Sequence, residues 1–188
     1  MKIDDLKGFV DELFEEGPVS DPESVETLMR EFTRMEAYVT ASVGEFDTWG
    51  AWAGDGARGA AGWIATRGRI PVAAVQRQVR RARHLRQLKD CDRAWRAGDI
   101  DAAHVDAICK KHRGPTAPAL ERDEEMLVDQ ARTLRFSDFT RALAYWSQQA
   151  DPDGAEWDAE AHRARRDVYL VPSLDGMYFG QMTLDRVS

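Results

Sequence analysis

Apolar residues recur with a helical period over most of the chain. Ile3, Leu6, Val10 and Leu13/Phe14 share one face and predict a short amphipathic helix over 3–16. Gly17-Pro18 ends it. Asp21 suits the N-cap of the next helix, Pro22 its first position, and Glu23 the positive end of its dipole. Val25, Leu28, Phe32, Met35, Val39 and Phe46 then follow a 3-4 spacing over about three heptads, with Ser42 interrupting. One long helix is predicted. Its stripe fits a helix packed on its own domain and equally an antiparallel or dimeric seam, with Val25, Leu28, Phe32, Met35 and Val39 as dimerisation positions.

The pattern breaks over 45–59, where Trp49 and Trp52 read as anchors seated in the core. Gly54, Gly56 and Gly59 spell GxGxxG there. A dinucleotide site needs a preceding strand and an acidic residue about 20 positions later. The upstream pattern is helical and the residues near position 76 are Gln and Arg, so the segment reads as a lead-in capped by Asp55. A helix rich in small residues follows over 57–65, with Trp63 and Ile64 as its bulky members. Arg67-Gly68-Arg69 forms a turn, and Pro71 opens a longer helix. On it Val75, Val79, Ala82, Leu85 and Leu88 make the inner stripe, while Gln76, Arg77, Arg80, Arg81, Arg83 and His84 occupy the rest. Ala65, Ile70 and Val75 sit at helix-turn-helix offsets. The customary turn glycine would fall at Arg69, and Gln78 stands where an apolar residue is commoner.

Further helices are predicted over 91–97, from Asp99 or Asp101 through Cys109, over 119–133, and after Ser137 through Phe139, Leu143 and Trp146. Lys110, Lys111, His112 and Arg113 close the second of these, where positive charge suits the dipole. Asp151-Pro152-Asp153-Gly154 is a turn and not a calcium loop, because Ala155 and His162 stand where ligands would be needed. After a last polar helical piece, 168–171 and 177–182 read as two strands about Asp175-Gly176. A lone hairpin is marginal in water, so it is expected to pack on the helices or to belong to a sheet completed elsewhere. The sequence stops at Ser188, which reads as a truncated or shortened version of something longer. The expected fold is mainly α: a multi-helix domain with a helix-turn-helix-like unit, a long N-terminal helix and a C-terminal β-hairpin. Its expected parts are 1–46, 47–166 and 167–188.

Composition supports a globular chain, since 188 residues, 43% of them hydrophobic, with six Trp, suffice for a core. No apolar run approaches the roughly 18 residues of a membrane span. The acidic, amphipathic N-terminus is unlike a signal peptide. Cys91 and Cys109 have neither CxxC spacing nor a histidine pair, and read as thiols of a reducing compartment, with the cytoplasm the expected location. Charge changes the picture more. From position 67 to 96 there are ten Lys or Arg against two Asp, +8 in a chain of formal net charge −7, so the remainder carries −15. A polyanion is the natural partner of such a segment.

Five short motifs occur in order: Gly-Ala-Arg-x-Ala-Ala-x-Trp-Ile (56–64), Ala-x-x-Leu (82–85), Trp-Arg-Ala-Gly-Asp-Ile (95–100), Asp-Pro-Asp-Gly (151–154) and Ser-Leu-Asp-Gly-Met (173–177). Together they resemble the actinobacterial 13E12-repeat family, whose shared region is a domain of unknown function, number 222. The resemblance runs from about position 47 to the end, about three quarters of the chain. Members commonly continue into an HNH nuclease module, which needs a histidine base and metal-binding His or Asn residues on a ββα scaffold. Here His84, His104, His112 and His162 all lie in predicted helical segments. The resemblance therefore implies a nuclease-associated domain without the nuclease.

The leading expectation is a duplex-DNA-binding module, with Gln76, Arg77, Arg80, Arg81, Arg83 and His84 facing the major groove and Arg67 and Arg69 touching phosphate. The alternative is a protein–protein or dimerisation module whose arginines are neutralised by the acidic N-terminal and 119–133 helices. The sequence offers no supported Ser-His-Asp or Cys-His arrangement, metal spacing or phosphate loop, so no enzyme activity, metal or cofactor is expected.

Overall fold

The computed structural model describes residues 3–152, 167–172 and 177–183. The fold is mainly α. Helix α1 spans Ile3–Glu16 and α2 spans Pro22–Trp49. Asp21 caps α2 by accepting the Ser24 amide at 2.8 Å, and Pro22 stands in the first turn. The helix runs past the expected break at 45 and ends at Gly50, whose left-handed backbone (φ 73°) returns its amide to the Phe46 carbonyl. Trp49 is therefore helical and 80% exposed, not a core anchor. Trp52 is half-buried, in a short 3-10 helix over Ala51–Asp55.

Next come α3 (Ala60–Gly68), α4 (Val72–Leu85), α5 (Lys89–Ala97), α6 (Ala102–Lys111), α7 (Thr116–Thr133) and α8 (Phe136–Ala150). Of the two candidate caps for α6, Asp101 serves, in a capping box with His104. Helix α7 starts earlier than expected, because the Thr116 hydroxyl bridges to the carbonyls of Lys111 and Arg113 at 2.5 and 2.8 Å. Ser137 lies inside α8 and does not cap it.

The main core gathers Ala37 of α2, Leu85 and Leu88, Trp95 of α5, Ile108 of α6, Leu120 and Leu127 of α7, and Phe139 and Leu143 of α8. A smaller cluster joins Val43 to Val75 and Val79, covered by Ala61, Ile64 and Ala65 of α3. The inner stripe predicted for α4 is thus buried in full. The stripe predicted for α2 is not. That helix buries Ala37, Thr40, Val43 and Gly44 instead.

Strands β1 (Asp167–Pro172) and β2 (Tyr178–Thr183) pair antiparallel, with Leu170 opposite Gly180. Val171, Met177, Tyr178, Phe179 and Met182 are exposed, so the hairpin is not seated in the helical core. The expected turns at Asp153-Gly154 and Asp175-Gly176, and the polar piece between Gly154 and Asp167, lie outside the described residues. Among the described residues no helix is long and apolar enough to cross a membrane.

One cap comes from a distant helix. The residue at the N-cap of α5 is Leu88, which offers no side-chain acceptor. The buried Glu124 of α7 reaches across, and its carboxylate accepts the Cys91 amide at 2.8 Å. Burial holds the Glu124 carboxyl above its ordinary value, against the lowering effect of the Cys91, Asp90 and Lys89 amides. The ionised form is thus disfavoured on folding. The stability this group lends is complete below its unfolded pKa and is lost as pH rises through the raised folded value. Glu124→Gln keeps a carbonyl acceptor without that loss, so its stability relative to wild type should increase as pH rises above the ordinary glutamate range of about 4.3. Glu124→Ala should cost about 1–3 kcal/mol by orphaning a buried amide. Urea denaturation at several pH values measures both.

Candidate nucleic-acid interface

The α3–α4 unit is built on small residues and a tight turn. The turn residue Arg69 adopts φ 53° and ψ 37°, the left-handed conformation a glycine would supply. It is the one non-glycine with positive φ among the described residues. Its amide returns to the Ala65 carbonyl, closing α3. The left-handed geometry expected at position 69 is present without the expected glycine, while Arg67 and Gly68, expected in the turn, are the last residues of α3. Of the offset positions, Val75 is buried and Ala65 half-buried, while Ile70 is exposed. Asp55 does not cap α3. It accepts the Trp63 indole N–H and the Arg67 guanidinium, both at 2.7 Å.

The arginines read together from the sequence separate into two sets. Arg67 is held by Asp55 and lies over the Trp63 ring at 4.5 Å. Arg83 forks onto Asp47 of α2 at 2.9–3.1 Å. Arg81 is only 8% exposed and grips Asp106 of α6 with two bonds of 2.5 and 2.6 Å, its guanidinium 5.6 Å from the Trp95 ring centre. Its expected place on the surface is therefore corrected: it faces α6 and the core. Gln76, Arg77 and Arg80 form the outward face of α4, exposed and with no ion pair among the described residues, and Arg69 stands exposed at the turn. The acids that neutralise the first set come from α2, the 3-10 segment and α6; among the described residues none comes from α1 or α7.

His84 is half-buried and turns toward α6 rather than outward. Its Nδ1 lies 2.9 Å from Nδ1 of His112, whose Nε2 is 2.9 Å from Glu121. The carboxylate only accepts, so His112 donates through Nε2, and in its neutral form it receives the His84 Nδ1–H at Nδ1. Burial, then the neighbouring His112 and Arg80, push the His84 pKa down. Arg77, Arg80, Arg81, His84, Asp106, Lys110, His112 and Arg113 line one cleft of about 380 Å³. Lys110 and Arg113 were legible only as charges suited to a helix end. The packing of α4 on α6 is what brings them beside the arginines.

On α2, Val25, Leu28, Phe32 and Val39 are 39–57% exposed and Met35 is half-buried. Met29 and Tyr38 add to this open apolar surface. Cys91 and Cys109 are free and buried, and burial pushes the Cys91 thiol well up and Cys109 to about 12. They are inert thiols. Among the described residues no group of His, Cys, Asp or Glu could hold a metal ion.

Left-handed backbone costs a residue with a side chain about 1 kcal/mol relative to glycine. Arg69→Gly should therefore raise thermal stability, by about 1 kcal/mol at most, as read by calorimetry. A fall in stability would show that the Arg69 side chain holds the turn.

No curated protein and no solved structure matches this chain. A family model does, over residues 23–187, which takes in α2 through the second strand. The chain belongs to that family, described as a domain of unknown function, DUF222.

Proposed function

We propose that this chain is a DNA-binding module that docks on duplex DNA through the outward face of α4. One observation carries the reading. Gln76, Arg77 and Arg80 are exposed and lack ion-pair partners among the described residues, directly after a tight turn, in a chain of net charge −7. Arginine suits the O6 and N7 acceptors of guanine, and glutamine suits adenine. Arg69 at the turn is free to meet a phosphate. Arg67, Arg81 and Arg83 are assigned to holding the fold, because each already has a carboxylate partner.

The double variant Arg77→Glu/Arg80→Glu leaves the core untouched. At low salt it should weaken duplex binding by on the order of tenfold or more, and lower the salt slope by about 2. Unchanged affinity in fluorescence anisotropy would reject the reading. Arg81 stays out of this variant, since it is buried beside Trp95 and its loss would disturb the packing of α4 on α6.

A second reading, compatible with the first, is homodimerisation through the open stripe of α2. The supporting observation is that Val25, Leu28, Phe32 and Val39 have the spacing of a seam and are exposed, uncovered by the other described residues. A dimer would present two α4 faces, as helix-turn-helix proteins commonly do. Light scattering should give twice the chain mass for wild type. Leu28→Asp/Phe32→Asp should be monomeric with its helix content intact. A monomeric wild type sinks this reading.

A further inference from the structure

We infer that the cleft between α4 and the C-terminal end of α6 is a binding site for a terminal phosphate group. It shares Arg77 and Arg80 with the DNA-binding reading but stands without it, because its other walls lie off α4's outward face.

Four cations meet there without an ion pair among the described residues: Arg77 and Arg80 from α4, Lys110 from the last turn of α6, and Arg113 just beyond it. The one carboxylate in the lining, Asp106, is occupied by both nitrogens of the Arg81 fork. It is therefore spent as a counter-ion for the rest. Such a concave, uncompensated positive surface calls for an anion. Arginine forks and a lysine point charge together match the several oxygens of a phosphate.

A hydrogen-bond chain from α7 reaches the cleft through its two histidines. Glu121 orients His112, and His112, 6% exposed, orients His84. With Nδ1 committed to His112, the other ring nitrogen of His84, Nε2, is the one left to a ligand. A diester offers it no proton. A terminal phosphate offers the cations one more non-bridging oxygen than a diester, and in its singly protonated form a P–OH that donates to Nε2. At about 380 Å³ the cleft is within the range of small-ligand pockets, so it admits a phosphate together with part of the group it esterifies. The phosphate can be that of a free ligand or the 5′ end of a nucleic-acid strand.

The test follows the ring nitrogens of His84 and His112 by 15N NMR in the full chain. Inorganic phosphate is added at constant ionic strength against chloride. Saturable shifts at both histidines are expected, and Lys110→Ala/Arg113→Ala should weaken them at least tenfold while circular dichroism stays unchanged. No shift up to about 10 mM phosphate, or equal affinity in the variant, overturns the proposal. Duplexes with and without a 5′-phosphate distinguish the sources. A preference of about tenfold for the phosphorylated end, lost in the variant, identifies a strand terminus. Phosphate binding with no such preference identifies a free ligand. Phosphate-dependent shifts without duplex affinity reject the DNA reading alone, and duplex affinity without those shifts rejects this one alone.

Discussion

The crossing of α2 over α4 governs what the rest of the molecule can present. The two helices meet at Gly44 and Ala82, where a Cβ on Gly44 would lie 2.6 Å from the Ala82 Cβ. Only a pair of side chains this small lets the backbones approach so closely. Once α2 lies on that spot, the orientation of α4 is fixed. Val75 and Val79 turn toward Val43 and α3, while Leu85 joins the main core. Positions 76, 77 and 80 are left on the far side. The open basic face thus follows from a constraint on the opposite, apolar side of the same helix.

Electrostatics then sorts the arginines by reach. Asp47 lies beside α4, so Arg83 is neutralised there. Asp106 projects from α6, so Arg81 is drawn inward and covers Trp95. A buried pair of this kind contributes little net stability, yet removal of one partner leaves a charge stranded. The fold retains it as a unit. Acidic α1 and α7 supply much of the chain's negative charge, but among the described residues neither pairs with Arg77 or Arg80, and Glu121 of α7 is engaged by His112. A run of arginines in the sequence therefore comprises a scaffold and a working surface interleaved on one helix.

Much of the local architecture was legible in advance. Asp21-Pro22 announced the start of α2, Gly17-Pro18 the end of α1, and the period of Val75, Val79, Ala82, Leu85 and Leu88 the buried side of α4. Interactions between neighbours in sequence decide these features. Arg69 shows a middle case. Its position marked the turn, but its side chain argued against the left-handed backbone that packing imposes. Trp49 shows a failure of the same logic, since hydrophobicity suggested an anchor and an unbroken helix carried it to solvent.

The sequence by itself determined which segments are helical, where several of them begin or end, and that positive charge gathers on one of them. Only the tertiary structure decided which arginines remain available, which face of α2 is buried, and which residues join α4 in a site. The Glu124 cap on α5, the Glu121–His112–His84 chain and the meeting of Lys110 and Arg113 with Arg77 and Arg80 all link separate helices. The physical reason is one of range. Caps and periods act within a turn or two of helix, whereas charge pairing and site assembly depend on distances set by helix crossings. The stretch that first stood out for its charge owes its open face to a glycine about forty residues away on another helix.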